Sequence, residues 1–142
     1  IGMKKTILLA FICIATFACD KKENAAPQPD LTPISLTYQK AATVRTSGSD
    51  LKVELKEVND SRCPINADCI SAGSAKLVFA VSDASNQVNV NFEFKGGSKN
   101  DQVFKLGGTD YVITVSEVLP YPQISVTPKL EDYKIAVSIE KK

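Results

Sequence analysis

Apolar residues recur at every second position along most of the chain from residue 34 onward. In residues 88–94 the alternation is complete, because Val or Phe stands at every even position and Asn or Glu stands between them. A period of two places alternate side chains on opposite faces of a β-strand. The pattern recurs in seven runs, which are residues 34–38, 51–58, 75–81, 88–94, 103–106, 111–118 and 133–139. No run keeps the 3.6-residue period of a helix, and the sequence therefore predicts an all-β chain.

Glycine and proline separate these runs. Gly48 and the pairs 96–97 and 107–108 stand where hairpin turns are expected. Pro120 and Pro122 end the run at 111–118, because proline cannot donate to a strand ladder. About seven or eight short strands at this spacing predict a single antiparallel β-sandwich, immunoglobulin-like or similar. A small β-barrel is the alternative.

A loop with the sequence DSRCPINADCISAG, here called the cysteine loop (residues 60–73), lies between two of the strongest strand runs. Cys63 and Cys69 are expected to form a disulfide if the chain reaches an oxidising compartment. Five residues separate them and no histidine accompanies them, so the spacing is not that of a zinc site. It also differs from a redox-active C-x-x-C pair.

Four polar residues of the cysteine loop are candidate binding residues: Asp60, Arg62, Asn66 and Asp68. In a structural interpretation, Asp60 accepts backbone hydrogen bonds and Arg62 pairs with Asp60 or Asp68. In a functional interpretation, the disulfide preorganises the loop to contact a protein or a ligand. A Ca²⁺ site built from Asp60, Asn66 and Asp68 lacks the spacing of a calcium-binding loop. No metal and no cofactor is predicted.

The cysteine loop resembles a motif of small uncharacterised bacterial secreted proteins and lipoproteins. That motif reads Asp-Ser-Arg-Cys-Pro, then a few residues, Cys, a hydrophobic residue and Trp-Ala-Gly. The positions that match, beside the initial Asp-Ser-Arg, are Cys63, Pro64, Cys69, Ala72 and Gly73. Ser71 stands where the motif usually has Trp. The resemblance implies an all-β domain and brings no known activity.

An uncharged run of 13 residues, 6–18, follows Lys4-Lys5 and ends at Cys19. Its length suits the apolar core of a signal peptide, about 7–15 residues, rather than a membrane span of about 20. The sequence Thr-Phe-Ala-Cys at 16–19 resembles the lipobox of bacterial lipoproteins. The resemblance implies a lipoprotein signal peptide over 1–18, cleaved before Cys19, and a lipidated Cys19 with palmitate-type acyl chains. Met3 is the expected start, preceded by a non-native Ile1-Gly2.

Residues 19–33 then form the lipidated cysteine and a proline-containing tether, and residues 34–142 form the all-β domain. We expect a bacterial cell-envelope location, anchored by lipid to the outer membrane rather than the inner one, on its periplasmic face or at the cell surface. An Asp directly after the lipidated cysteine, here Asp20, marks inner-membrane retention in some Gram-negative lineages. A short charged stretch at this place, here 20–23, accompanies surface export in others, so both interpretations stay open.

The composition of the chain excludes several classes of function. Removing residues 1–18 leaves 124 residues with 15 basic and 16 acidic side chains, dispersed without the basic patch that nucleic-acid binding needs. The chain has no histidine, which excludes Ser-His-Asp and Cys-His catalysis. We expect a non-catalytic binding or structural module with an envelope protein or a glycan as partner. The alternatives are a carboxylate-based hydrolase and a protease inhibitor that presents the cysteine loop.

Overall fold

The computed structural model describes residues 32–97 and 100–142. The predicted signal peptide, Cys19 and most of the tether lie outside these residues. The described part contains eight strands: β1 (Ile34–Thr37), β2 (Ala41–Arg45), β3 (Asp50–Asp60), β4 (Ala75–Ser82), β5 (Gln87–Phe94), β6 (Asn100–Leu106), β7 (Thr109–Leu119) and β8 (Lys134–Lys141). A 3-10 turn at Leu130–Asp132 precedes β8.

The strands form two four-stranded antiparallel sheets, in the orders β1-β8-β7-β6 and β2-β3-β4-β5. The predicted β-sandwich is confirmed, since the two sheets do not close into a barrel. Except for β1 beside β8, neighbours in each sheet are consecutive in the chain. This order of two meanders differs from the Greek-key order of the immunoglobulin fold.

The core lies between the inner faces of the two sheets. The inward residues are those of the period-two pattern, and the largest fully buried side chains include Phe79, Leu55, Leu77, Ile113 and Ile135. Polar residues alternate with them on the outer faces. The seven predicted runs correspond to β1 and to β3–β8, within a few residues at each end.

One strand is not visible in the sequence pattern. β2 has the sequence AATVR and buries only Val44, with Ala42 half-buried. The residues that face the core are one alanine, Ala42, and one β-branched residue, Val44, which give no clear period-two signal. Pairing with β3 therefore decides the conformation of β2.

The two glycine pairs lie in different kinds of connection. Gly107-Gly108 forms a two-residue hairpin turn between β6 and β7, and both residues have positive φ values, 57° and 81°. That geometry is the type I′ turn, which matches the twist of the strands. The predicted hairpin at Gly96-Gly97 is wrong, because β5 and β6 belong to different sheets and these glycines lie in the crossover between them. Gly48 lies in the β2–β3 hairpin, as predicted.

Candidate functional site

A β-bulge in β3 decides where the carboxylate of Asp60 lies. Leu55 pairs with Phe79, but Glu57 pairs with the preceding residue of β4, Val78, so Lys56 is the extra residue. A bulge changes which face the following side chains occupy. Asp60 consequently lies opposite the buried Ala75, on the inner face, and its side chain is only 4% exposed.

The buried Asp60 is neutralised by Arg62. Arg62 Nε donates to Asp60 Oδ1 at 2.8 Å, and Nη2 donates to Oδ2 at 2.7 Å. The backbone amide of Arg62 also donates to Oδ1, at 3.2 Å. Such a bidentate pair matches the planar geometry of both groups. Of the two partners offered to Arg62 by the sequence, Asp60 or Asp68, the structure selects Asp60.

Arg62 also connects the two sheets. Its Nη1 donates to the carbonyl of Val118 at 2.9 Å, and its Nη2 donates to the carbonyl of Pro120 at 3.0 Å. Val118 lies near the end of β7, in the sheet opposite β3, and Pro120 directly follows that strand. The guanidinium carbon lies 5.9 Å from the centroid of the Phe94 ring and 5.1 Å from that of Tyr121. Both distances are in the cation–π range, so one side chain links β3, β5 and β7.

Tyr133 completes this network. Its hydroxyl donates to Asp60 Oδ2 at 3.3 Å, and the residue is buried just before β8. Burial raises the pKa of the Tyr133 hydroxyl above its usual value, and the negative charge of Asp60 and the hydrogen bond to it raise this pKa further. The positive charge of Arg62 acts in the opposite direction.

The cysteine loop is closed by a disulfide and, at its base, by two backbone hydrogen bonds. Cys63 and Cys69 form the predicted disulfide, with their Cα atoms 5.9 Å apart. At the base, the Ser61 amide donates to the Ser74 carbonyl at 2.9 Å and the Cys63 amide donates to the Ala72 carbonyl at 2.7 Å. Gly73 has a φ of +68°, and a methyl group there would collide with the Ser61 carbonyl oxygen. Glycine is therefore required at the base of the loop.

The cysteine loop packs against residues 120–128, which follow β7 and are here called the proline segment. The Ile65 amide donates to the Pro122 carbonyl at 2.9 Å. The Ile124 amide donates to Asn66 Oδ1 at 2.8 Å. We call the cysteine loop and the proline segment together the tip, since both lie at the same end of the sandwich.

The tip exposes large apolar side chains. They are Ile65, Ile70, Tyr121, Ile124 and Val126, and each is about half exposed or more; Ile70 is fully exposed. Within these two described segments, the charged residues are the buried pair of Asp60 and Arg62 and the exposed Asp68. Apolar residues concentrated on one nearly uncharged surface are typical of interaction sites.

The structure assigns different environments to the four predicted loop residues. Asp60 and Arg62 are buried in the network described above, and Asn66 joins the loop to the proline segment. Asp68 is exposed. The sequence analysis missed the exposed isoleucines of the tip. The sequence did contain a signal for them, because they are apolar residues in loop segments that show no strand or helix periodicity.

Among residues 32–97 and 100–142, no group of three or more His, Cys, Asp or Glu side chains is placed to hold a metal ion. In this same part of the chain, none of the helical structure is long and apolar enough to cross a membrane. No protein-family model matches the chain, and the searches of curated proteins and of solved structures also give no match.

Proposed function

We propose that this chain is a lipid-anchored lipoprotein of the bacterial envelope, whose β-sandwich is a non-catalytic binding module, and that the tip is its recognition surface for a protein partner. The observation that carries the proposal is the set of exposed apolar side chains on a rigid, nearly uncharged end of the sandwich.

Rigidity supports recognition because binding then costs little loop-ordering entropy. The disulfide, the ladder at the base of the loop and the Arg62 network hold the cysteine loop, and the two hydrogen bonds to the proline segment hold its neighbour. Tyr121 lies on this surface with one ring face against Arg62 and about half of its area exposed. Tyrosine is among the residues most often found in energetic hot spots of interfaces.

The anchor is proposed at Cys19, on the 13-residue apolar run and the lipobox resemblance. Two or more acyl chains hold a protein stably at a membrane. β1 runs from Ile34 to Thr37 toward the tip, since Thr37 pairs with Lys134 at the tip end of β8. A tether that enters at Ile34 from the opposite direction would leave the tip free to meet a partner in the envelope. We place the lipid in the outer membrane.

A carboxylate-based hydrolase is the second candidate, because Glu57, Asp60 and Glu93 line one cleft. The arrangement supports it less well. Asp60 is paired with Arg62, and Glu93 accepts a hydrogen bond from Ser74 Oγ at 2.9 Å. Glu57 and Glu93 lie on the two strands that flank β4. Ordinary strand spacings then put their Cα atoms about 12 Å from each other. A protease that accepts the cysteine loop would be one kind of protein partner for the tip.

The proposal is tested by growing cells that produce the full chain with radiolabelled palmitate and separating their membranes. Wild type and Cys13→Ser, a cysteine inside the apolar run, should carry label in the membrane fraction, and Cys19→Ser should carry none. Ile124→Asp should remain labelled and membrane-bound but lose the protein that cross-links to wild type. Label on Cys19→Ser, or unchanged cross-linking by Ile124→Asp, would refute the anchor or the tip respectively.

A further inference from the structure

The outer face of the second sheet carries a regular array of polar side chains near the tip end. The strand register places Glu57, Val78 and Asn91 in one row across β3, β4 and β5. The next row contains Asn59, Lys76 and Glu93. Directly paired residues point to the same face of a sheet, with strands about 4.8 Å apart. We call these six residues the polar array.

All six residues of the polar array line a cleft of about 840 Å³. This volume lies within the range of small-ligand sites, about 300–1,000 Å³. The cleft is also lined by the half-buried Tyr38 and by Leu130, which is exposed for 42% of its surface. The next two rows of the same face contain Asn89 and Gln87, which do not line it.

The polar array offers hydrogen-bonding groups that the protein does not use. Within the described residues, the side chains of Glu57, Asn59, Lys76 and Asn91 have no hydrogen bond or ion pair with another group. Each asparagine amide provides both donors and an acceptor, the carboxylate accepts and the ammonium group donates. A ligand rich in hydroxyl groups, which donate and accept at the same atom, matches this mixture.

The charges of the cleft are balanced. Lys56 and Lys76 are positive and Glu57 and Glu93 are negative, while Asp60, which also lines the cleft, is neutralised by Arg62. A balanced site gives no net attraction to a strongly charged ligand. Val78 at the centre of one row and Leu130 at the wall provide apolar surface for the carbon skeleton of the ligand.

We infer that the polar array is a second binding site, distinct from the exposed apolar side chains of the tip although Asp60 and Pro128 at the base of the tip also line the cleft, and that it takes a neutral polyhydroxylated ligand, namely a short uncharged oligosaccharide. Asn59 and Asn91 would hold its hydroxyl groups. The inference does not depend on the lipid anchor or on a protein partner at the tip.

The test uses the full-length protein in a detergent without a sugar headgroup, with cellotriose, maltotriose and the trimer of N-acetylglucosamine as probes. Saturation-transfer NMR and calorimetry measure binding to wild type, Asn59→Ala and Asn91→Ala. Asn89→Ala is the matched control, because Asn89 is an exposed asparagine two residues away on the same strand and outside the cleft. An unchanged melting temperature checks that each variant is folded.

At least one trisaccharide should bind saturably. Asn91→Ala and Asn59→Ala should each weaken its Kd about tenfold, the loss of one or two good hydrogen bonds, and Asn89→Ala should leave it unchanged. The inference is overturned if no trisaccharide binds at millimolar concentration, or if binding survives both cleft variants. Tighter binding of trigalacturonate than of any neutral trisaccharide would overturn the ligand class. Loss of sugar binding in Ile124→Asp but not in Asn91→Ala would move the site to the tip.

Discussion

Arg62 and Asp60 form a bidentate ion pair whose side chains are 7% and 4% exposed, and the same guanidinium donates to the carbonyl of Val118 in the opposite sheet and to that of Pro120 just after it. Arg62 thus compensates the buried negative charge of Asp60. Because Arg62 also belongs to the cysteine loop, this pair couples the integrity of the sandwich end to the position of the tip.

Replacing Arg62 with Met should destabilise the domain strongly. The variant leaves the buried charge of Asp60 without a positive partner, and breaking a buried pair in this way costs about 3–5 kcal/mol. Denaturant unfolding measures the change. The double variant Arg62→Met/Asp60→Leu should recover a large part of the loss, because no uncompensated charge then remains. A double variant no more stable than Arg62→Met would show that packing, and not charge, explains the effect.

Tyr133→Phe should change how stability depends on pH. At neutral pH the variant loses the hydrogen bond to Asp60, at a cost of about 1 kcal/mol. The folded-state pKa of Tyr133 is raised from 10.0, so its contribution is complete below pH 10 and is lost as the pH rises through the folded value. The free energy of unfolding of wild type should therefore fall toward that of Tyr133→Phe at alkaline pH. A constant difference between the two proteins from pH 7 to pH 11 would rule out this assignment.

Removing the disulfide should cost about 2.4 kcal/mol, the loop-closure value for a closed loop of about seven residues. Cys63→Ser and Cys69→Ser should each show this loss in denaturant unfolding. Adding a reductant should lower the stability of wild type by the same amount and leave the double serine variant unchanged. If the reductant destabilises the double variant equally, the effect is not due to this bond.

Gly73→Ala should destabilise the domain by more than the cost of placing alanine at a positive φ. Alanine at a positive φ costs about 1–2 kcal/mol, and at Gly73 the methyl group also meets the Ser61 carbonyl oxygen. Gly96→Ala is the control, since Gly96 has a φ of +77° and open space around it. Thermal unfolding of both variants separates the two effects. Equal losses would mean that the collision at Gly73 is relieved without cost.

The sandwich could be predicted from the sequence because hydrophobic alternation reports directly which face of each strand is buried. The same alternation did not predict the two β-bulges. Both strands that contain two consecutive polar residues inside the pattern, Lys56-Glu57 in β3 and Ser116-Glu117 in β7, shift register at that point. The shift in β3 turns Asp60 inward, so the partner of Arg62 depends on a detail of pairing that periodicity alone does not give.

The tip was only partly predictable for a similar reason. The disulfide was predicted from two cysteines in a chain expected to reach an oxidising compartment, and it is present. The meeting of the cysteine loop with the proline segment joins residues 58 positions apart, as in the bond between Asn66 and Ile124. Loop sequences carry no periodic signal for such a contact, so the surface that brings the exposed isoleucines together was identified only from the folded chain.

The most direct test of the tip as a recognition surface is site-specific photo-cross-linking in the native cells. A photoreactive amino acid is placed at Ile124 on the tip and, as a control, at Val103, which is 48% exposed on the edge strand β6. We predict one discrete protein adduct from Ile124, absent from Val103 and abolished by Tyr121→Ala in the same chain. The same adducts from both positions, or no adduct from Ile124 that depends on Tyr121, would contradict the account.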